Sequence, residues 1–287
     1  MDRPGRECMV IPKVLGAALM LGLLLQGARA EHYEIFIVAG QSNACGRAEV
    51  TQRMPLEAGV EIPFWYEIDP EYGADFPRTR SGGWVPLAPQ ARGESKRYFI
   101  GPELGLGRVL GEPGAVRGRP AIFKFARGGS ALGKDWLSPE GPQLYGKMRR
   151  AFFGEALPAL LKRGDTWRVA GIFWLQGEAE AGEEAAANAY LQVLQDFKRL
   201  VRRDFRNPSM VWVIGRISWP KAGYQELVRT AQRAVVQNDL RAIWVDADDL
   251  SRNSAQDDHF NTDGQLELGR RMGLAYQYLQ EWETGPE

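Results

Sequence analysis

The chain has 287 residues, 36 basic against 36 acidic side chains, a formal net charge of zero, and 44% hydrophobic residues. That balance excludes the strong basic excess of a nucleic-acid footprint, while the length suffices to bury one sizeable core. Two cysteines in a chain of this size exclude a disulfide framework.

The first element is a predicted targeting segment. Arg3, Arg6 and Lys13 precede the uncharged run "VLGAALMLGLLL", and Ala28 and Ala30 stand three and one residues before an expected cut after Ala30. That order predicts a secretory signal over residues 1–30 and a secreted or periplasmic product. The apolar run is shorter than the roughly 20 residues that span a bilayer, so no membrane association is expected after cleavage. Residues 31–287, a single domain, would then hold 32 basic and 34 acidic side chains, a net charge of −2. Cys8 leaves with the signal, so Cys45 remains alone and no intramolecular disulfide is expected.

Five runs rich in branched and aromatic residues follow, at 34–39, 121–126, 169–175, 210–217 and 242–246. Continuous apolar character suits strands covered on both faces. Helical patterns occupy 144–161, 183–203, 225–238 and 265–279, with a shorter, glycine-containing one at 101–111. Between 183 and 203, Ala187, Tyr190, Leu191, Leu194, Phe197 and Val201 recur at three- and four-residue steps, the stripe of a helix packed on a sheet. Alternation of strands and helices predicts right-handed crossovers and a parallel sheet of five strands in a three-layer α/β/α sandwich with flavodoxin-like order. Residues 47–99 break the alternation. They are rich in Pro, Gly and aromatics and read as a long loop insertion, with Trp65, Tyr66, Tyr72 and Trp84 available as a binding flap or as a seal over the first helix.

In such a sheet, ligands bind beyond the carboxyl ends of the strands, and polar residues collect there. "GQSN" follows the first strand and places Ser42 at the turn, as a helix cap or as a nucleophile. "ARGGS" follows the second, with Gly128 and Gly129. "QGE" follows the third, with Gln176 and Glu178. "QDDHF", before the last helix, supplies Asp257, Asp258 and His259. A hydroxyl, an imidazole, carboxylates and free amides are the requirements of acyl transfer. The chain has two histidines, and His32 adjoins the expected cut, so His259 is the candidate base. Cys45 is an alternative nucleophile, or simply a packing residue. So few histidines leave no ordinary zinc site, and neither a metal nor a cofactor is expected.

"GQSN", "KFARGGSALGKDW", "WLQGEAE" and "HFNTDGQLELGRRM" together resemble the sialate O-acetylesterase-like domain of the SGNH hydrolase superfamily. Carbohydrate esterase family 6, with its acetyl-xylan esterases, carries the same blocks, and the likeness spans nearly all of residues 33–280. The resemblance implies an SGNH fold and metal-independent ester hydrolysis, with Ser42 as nucleophile and His259 as its base. It implies an oxyanion hole from the amides of Ser42 and the Gly128–Gly129 turn with the Gln176 side chain. Gln41, Asn43, Trp65 and Trp84 are candidate substrate contacts. The acid stays open between Glu178, which relatives use, and Asp257, with Asp258 behind them. The Asp usual three residues before the histidine is here Gln256. The expected activity is removal of acetyl groups from a carbohydrate. A short-chain lipid or general esterase and a non-catalytic carbohydrate-binding relative are the alternatives.

Overall fold

The computed structural model describes residues 30–50, 61–69, 79–91, 97–141, 143–219, 221–255 and 257–284. The expected signal, Tyr72 and Gln256 lie outside them. Six parallel strands form the centre: β1 (His32–Gly40), β2 (Pro63–Ile68), β3 (Arg119–Ala126), β4 (Thr166–Leu175), β5 (Val211–Gly215) and β6 (Ala242–Val245). Their spatial order is β6-β5-β4-β1-β3-β2. Without β2 this is the flavodoxin-like order expected from the alternation. The order reverses at β1, and Gly40 is in register with Ala126 of β3 and Leu175 of β4. The residues that follow these three strands therefore emerge side by side at the carboxyl edge.

The seven helices that frame the sheet and its carboxyl edge are α1 (Ser42–Cys45), α2 (Glu103–Leu110), α3 (Leu144–Ala151), α4 (Glu178–Ala181), α5 (Glu184–Asp204), α6 (Gln225–Gln237) and α7 (Thr262–Thr284). A wider π-type turn at Phe152–Ala156 carries the α3 pattern on to Leu160. Alternate residues of β1 face opposite layers, as the pleat requires. Ile35 and Ile37 pack with Met148, Phe197 and Val228, from α3, α5 and α6. Phe36 and Val38 pack with Leu106 and Met272, from α2 and α7. On α5 the predicted stripe is buried at Ala187, Tyr190, Leu194, Phe197 and Val201 and half-buried at Leu191. Burying each large apolar side chain stabilises the fold by about 1.5–3 kcal/mol. Among the described residues, no helix is long and apolar enough to cross a membrane.

The segment expected to be one long loop is partly sheet. "PFWYEI" forms β2, which runs parallel to β3 from Phe64 opposite Ile122 to Ile68 opposite Ala126. Thr79–Arg80 and Val85–Pro86 pair antiparallel with β2. A separate small sheet joins Ala48–Val50, Tyr98–Ile100 and Gln90–Ala91. Pro63 is tolerated because it opens its strand, where a missing N–H breaks no interior ladder.

Candidate active site

Ser42 stands where β1 becomes α1. Gly40 has φ of 141° and a Cβ there would strike the Leu175 carbonyl, so the close approach of β1 to β4 requires glycine. The turn is stitched to both neighbours, Gln41 N donating to Leu175 O (2.8 Å) and Arg127 N to Gly40 O (3.1 Å). Ser42 is the first residue of α1 rather than its cap, and its hydroxyl caps nothing. At the first helical position its amide lacks an intrahelical acceptor.

The flanking side chains point inward. Gln41 Oε1 accepts from Gly177 N and Ala179 N, at 3.4 Å each, and so caps α4. Asn43 Nδ2 donates to Glu178 Oε1 (3.3 Å) and to Asp258 O (3.1 Å), while Asn43 Oδ1 accepts from Phe260 N (3.3 Å). One amide thus grips the two peptides that flank His259 and ties that loop to the residue beside Ser42. Among the described residues, no hydrogen bond joins Ser42 Oγ to His259; catalytic contacts of this kind often tighten only when substrate is bound.

Asp257 Oδ1 accepts from both the amide (2.9 Å) and Nδ1 (2.8 Å) of His259, and Asp258 Oδ1 lies 3.2 Å from the same ring nitrogen. A carboxylate on Nδ1 selects the tautomer whose Nε2 keeps its lone pair, the form a general base needs. Partial burial pushes the Asp257 carboxyl up, but bonds from His259 N, from Asn253 Nδ2 and from the ring hold it below its ordinary range. It therefore stays ionised. Metal-ligating atoms of Asp257, Asp258 and His259 also lie within 4.8 Å of one another; the hydrogen bonds among them account for that closeness. Glu178 is different. Burial pushes its carboxyl up to about 7, against bonds from its own amide and from Asn43, and the charges of Asp258 and Glu180 push the same way.

Across from Ser42, Gly129 takes φ of 64° with open space where a side chain would stand. Among the described residues, no acceptor is bonded to the amides of Gly128 or Gly129. The turn is braced from below. Ser130 Oγ donates to Arg127 O (2.8 Å) and accepts from Trp136 Nε1 (3.0 Å), and Ser130 O accepts from Gln176 Nε2 (3.1 Å).

Residues 32–279 match the family model described as "Carbohydrate esterase, sialic acid-specific acetylesterase". The chain belongs to this family. A probable carbohydrate esterase of Arabidopsis thaliana is 26% identical over 261 residues, covering 85% of this chain and 90% of that protein. Its crystal structure superposes with a TM-score of 0.61 at 20% identity, over 85% of this chain and 98% of the other. A novel carbohydrate acetylesterase from Xanthomonas citri superposes with a TM-score of 0.56 at 17% identity, over 86% of this chain and 56% of that one. The structural likenesses at this identity establish the shared fold.

Within this carbohydrate esterase the structure gathers Ser42, His259, Asp257, Gly128 and Gly129 at one edge. Gln176 is fully buried, and Nε2 spends its two hydrogens on Ser130 O and the Glu180 carboxylate, while Oε1 accepts from the Tyr190 hydroxyl (3.0 Å). It braces the glycine turn and has no free donor for an oxyanion. Asn43 is 3% exposed with its amide fully engaged, so it holds the site together rather than meets substrate, while Gln41, equally buried, has its Oε1 on the α4 amides. Glu178 makes no hydrogen bond to His259 among the described residues; the carboxylates at the ring are Asp257, hydrogen-bonded at 2.8 Å, and Asp258 at 3.2 Å. Trp65 is 3% exposed, packed beside Trp84 with ring centroids 6.0 Å apart, and Trp84 Nε1 donates to Ala156 O (2.7 Å). This pair seals β2 against the α3 layer.

The sequence reading noted Glu180 in "QGEAE" without giving it a role, and it passed over Trp219. Glu180 accepts from Leu132 N as well as Gln176 Nε2, joining the chain beyond the glycine turn to the end of β4. Trp219 follows β5, half-buried, with no ring partner among the described residues. Arg252 bonds Ser218 O, Ser218 Oγ and Asp257 O, which docks the Trp219 segment on the His259 loop. An aromatic directly after a strand run was the available signal.

Proposed function

We propose that this chain is an exported serine esterase that removes acetyl groups from a carbohydrate. The observation that carries the reading is the joint placement of a strand-end serine and a histidine whose Nδ1 is held by a carboxylate, tied together through Asn43. Ser42 Oγ attacks the acetyl carbonyl as His259 Nε2 takes its proton. Asp257 stabilises the resulting imidazolium. The tetrahedral oxyanion forms against the amides of Ser42, Gly128 and Gly129, donors that typically contribute about 3 kcal/mol each. Collapse breaks the bond to the sugar oxygen, which leaves with the proton from His259. Water, deprotonated by the same imidazole, then releases acetate from Ser42. The signal-like residues 1–30 support export, and a sugar is the substrate class that family membership supports.

The test is acetate release by residues 31–287, beside Ser42→Ala, from acetylated xylan and from O-acetylated sialic acid. Release lost in the variant is the expected result, and the better substrate identifies the sugar. Release that persists in Ser42→Ala would remove the serine mechanism. Silence of the parent on both sugars and on soluble acetyl esters would remove the activity.

A further inference from the structure

Glu178 lies beside Asn43, side chain buried, with Oε1 accepting from Asn43 Nδ2 (3.3 Å) and, among the described residues, no partner for Oε2. Among the described residues, Asn43 is the single side chain that binds the carbonyl before His259 and the amide after it. A planar amide can grip both peptides in one orientation only. Turned over, it would set NH2 against the Phe260 N–H and its oxygen against the Asp258 carbonyl. An acceptor at the third corner favours the productive orientation, because the turned amide would bring two oxygens together there.

We propose that Glu178 is a positioning residue rather than the triad acid, fixing the Asn43 amide and through it the loop that holds His259 against Asp257. This rests on Ser42, His259 and Asp257 being the catalytic group. It accounts for a buried carboxyl in the "QGE" turn that never reaches the imidazole. What Glu178 supplies to Asn43 is one oxygen acceptor. The tendency of its carboxyl to stay neutral until about pH 7 fits that role. A glutamine, which offers the same acceptor, should therefore replace it, and an apolar side chain should not.

The chain has two histidines, so labelling with ring-15N histidine gives only the signals of His32 and His259. The His259 Nδ1 proton, bonded to Asp257, should resonate far downfield and vanish in Asp257→Asn, which assigns it. Glu178→Gln should retain that resonance and keep kcat/KM within about tenfold of the parent. Glu178→Ala should weaken the resonance and lower kcat by more than about 30-fold, with Tm measured to show that it is folded. Glu178→Leu, closer in volume, replaces it if it is not. An unchanged resonance in the folded Ala or Leu variant would overturn the positioning role. Loss of the resonance in Glu178→Gln, as complete as in Asp257→Asn, would make Glu178 the charged partner and equally overturn it. If the parent releases no acetate, the proposed activity fails while the resonance still tests Glu178.

Discussion

Replacing Glu178 by Gln has a consequence for stability that can be worked from the fold. Burial displaces this carboxyl from 4.5, its ordinary value, to about 7. Between those limits the folded chain keeps a proton that the unfolded chain has released. Below about pH 4.5 both states are neutral at this position and the group costs nothing. Stability then falls as the pH rises, and above about 7 the loss is complete and constant. At about 1.4 kcal/mol per pH unit, the displacement from 4.5 to about 7 amounts to about 3 kcal/mol. Glutamine has no proton to lose, so the variant escapes the decline. Thermal unfolding of parent and Glu178→Gln at pH 5 and pH 8 reads the difference, and any pH-independent effect of the exchange cancels. In a domain of this size, about 2–4 °C accompanies each kcal/mol, so the Tm gap should move by about 6–12 °C in favour of the variant at the higher pH. A gap equal at both values would refute the burial argument, and a gap moving the other way would mean that the carboxylate is stabilised in the fold.

Asp257→Asn should lower kcat on a soluble acetyl ester by about 10³–10⁴, because the neutral amide no longer selects the tautomer. Asp258→Asn should cost less than about tenfold, and equal losses would mean that the two acids share the role. Trp65→Ala should destabilise the fold by about 3–5 kcal/mol in denaturant unfolding, as a large core truncation. Trp219→Ala should instead raise KM for an acetylated polysaccharide about tenfold and leave a small acetyl ester nearly unaffected, since stacking on an indole concerns the sugar alone; equal loss on both would remove Trp219 from the sugar path. Glu180→Ala should lower kcat more than tenfold with little change in KM, by releasing Leu132 N and Gln176 and loosening the glycine turn. A KM effect without a kcat effect would place Glu180 on substrate binding instead.

The strand order was legible because five of the six central strands are continuous apolar runs, which a sheet covered on both faces requires. β2 was not, because its proline, its neighbouring turns and Glu67 look like loop composition. Glu67 is in fact buried at 2% exposure, with Arg80 4.0 Å away. Aromatic density in that segment has one appearance and two causes, and Trp65 is packed inside with Trp84 half-buried against it, where a sugar-facing flap had been one reading. The strand-end polar blocks were legible as a set, and register at Gly40, Ala126 and Leu175 brings three of them level. The direction of each amide was not. Whether Gln176 faces an oxyanion or a turn depends on Ser130 and Tyr190, 46 and 14 residues away in the chain. No local pattern carries that information.

The sequence left the carboxylate on His259 open between Glu178 and Asp257. An aspartate two residues before the histidine can accept from the histidine's own amide, the i to i+2 bond that Asp side chains form in turns. Asp257 Oδ1 makes that bond at 2.9 Å and still reaches Nδ1 at 2.8 Å, so the local turn itself delivers the carboxylate to the ring. The entropy of orienting the acid is met by a bond the turn would form anyway. Asp258 then puts a second carboxylate 3.2 Å from the same nitrogen. While the imidazole is neutral, the two negative charges oppose each other across it. In the proposed mechanism, once His259 takes the Ser42 proton both face a cation, and the repulsion is replaced by attraction. Stabilisation that grows as the transition state forms is the kind that raises kcat. A contribution of that sort from Asp258 would appear as a kcat loss in Asp258→Asn with KM unchanged, smaller than in Asp257→Asn because only Asp257 also fixes the ring.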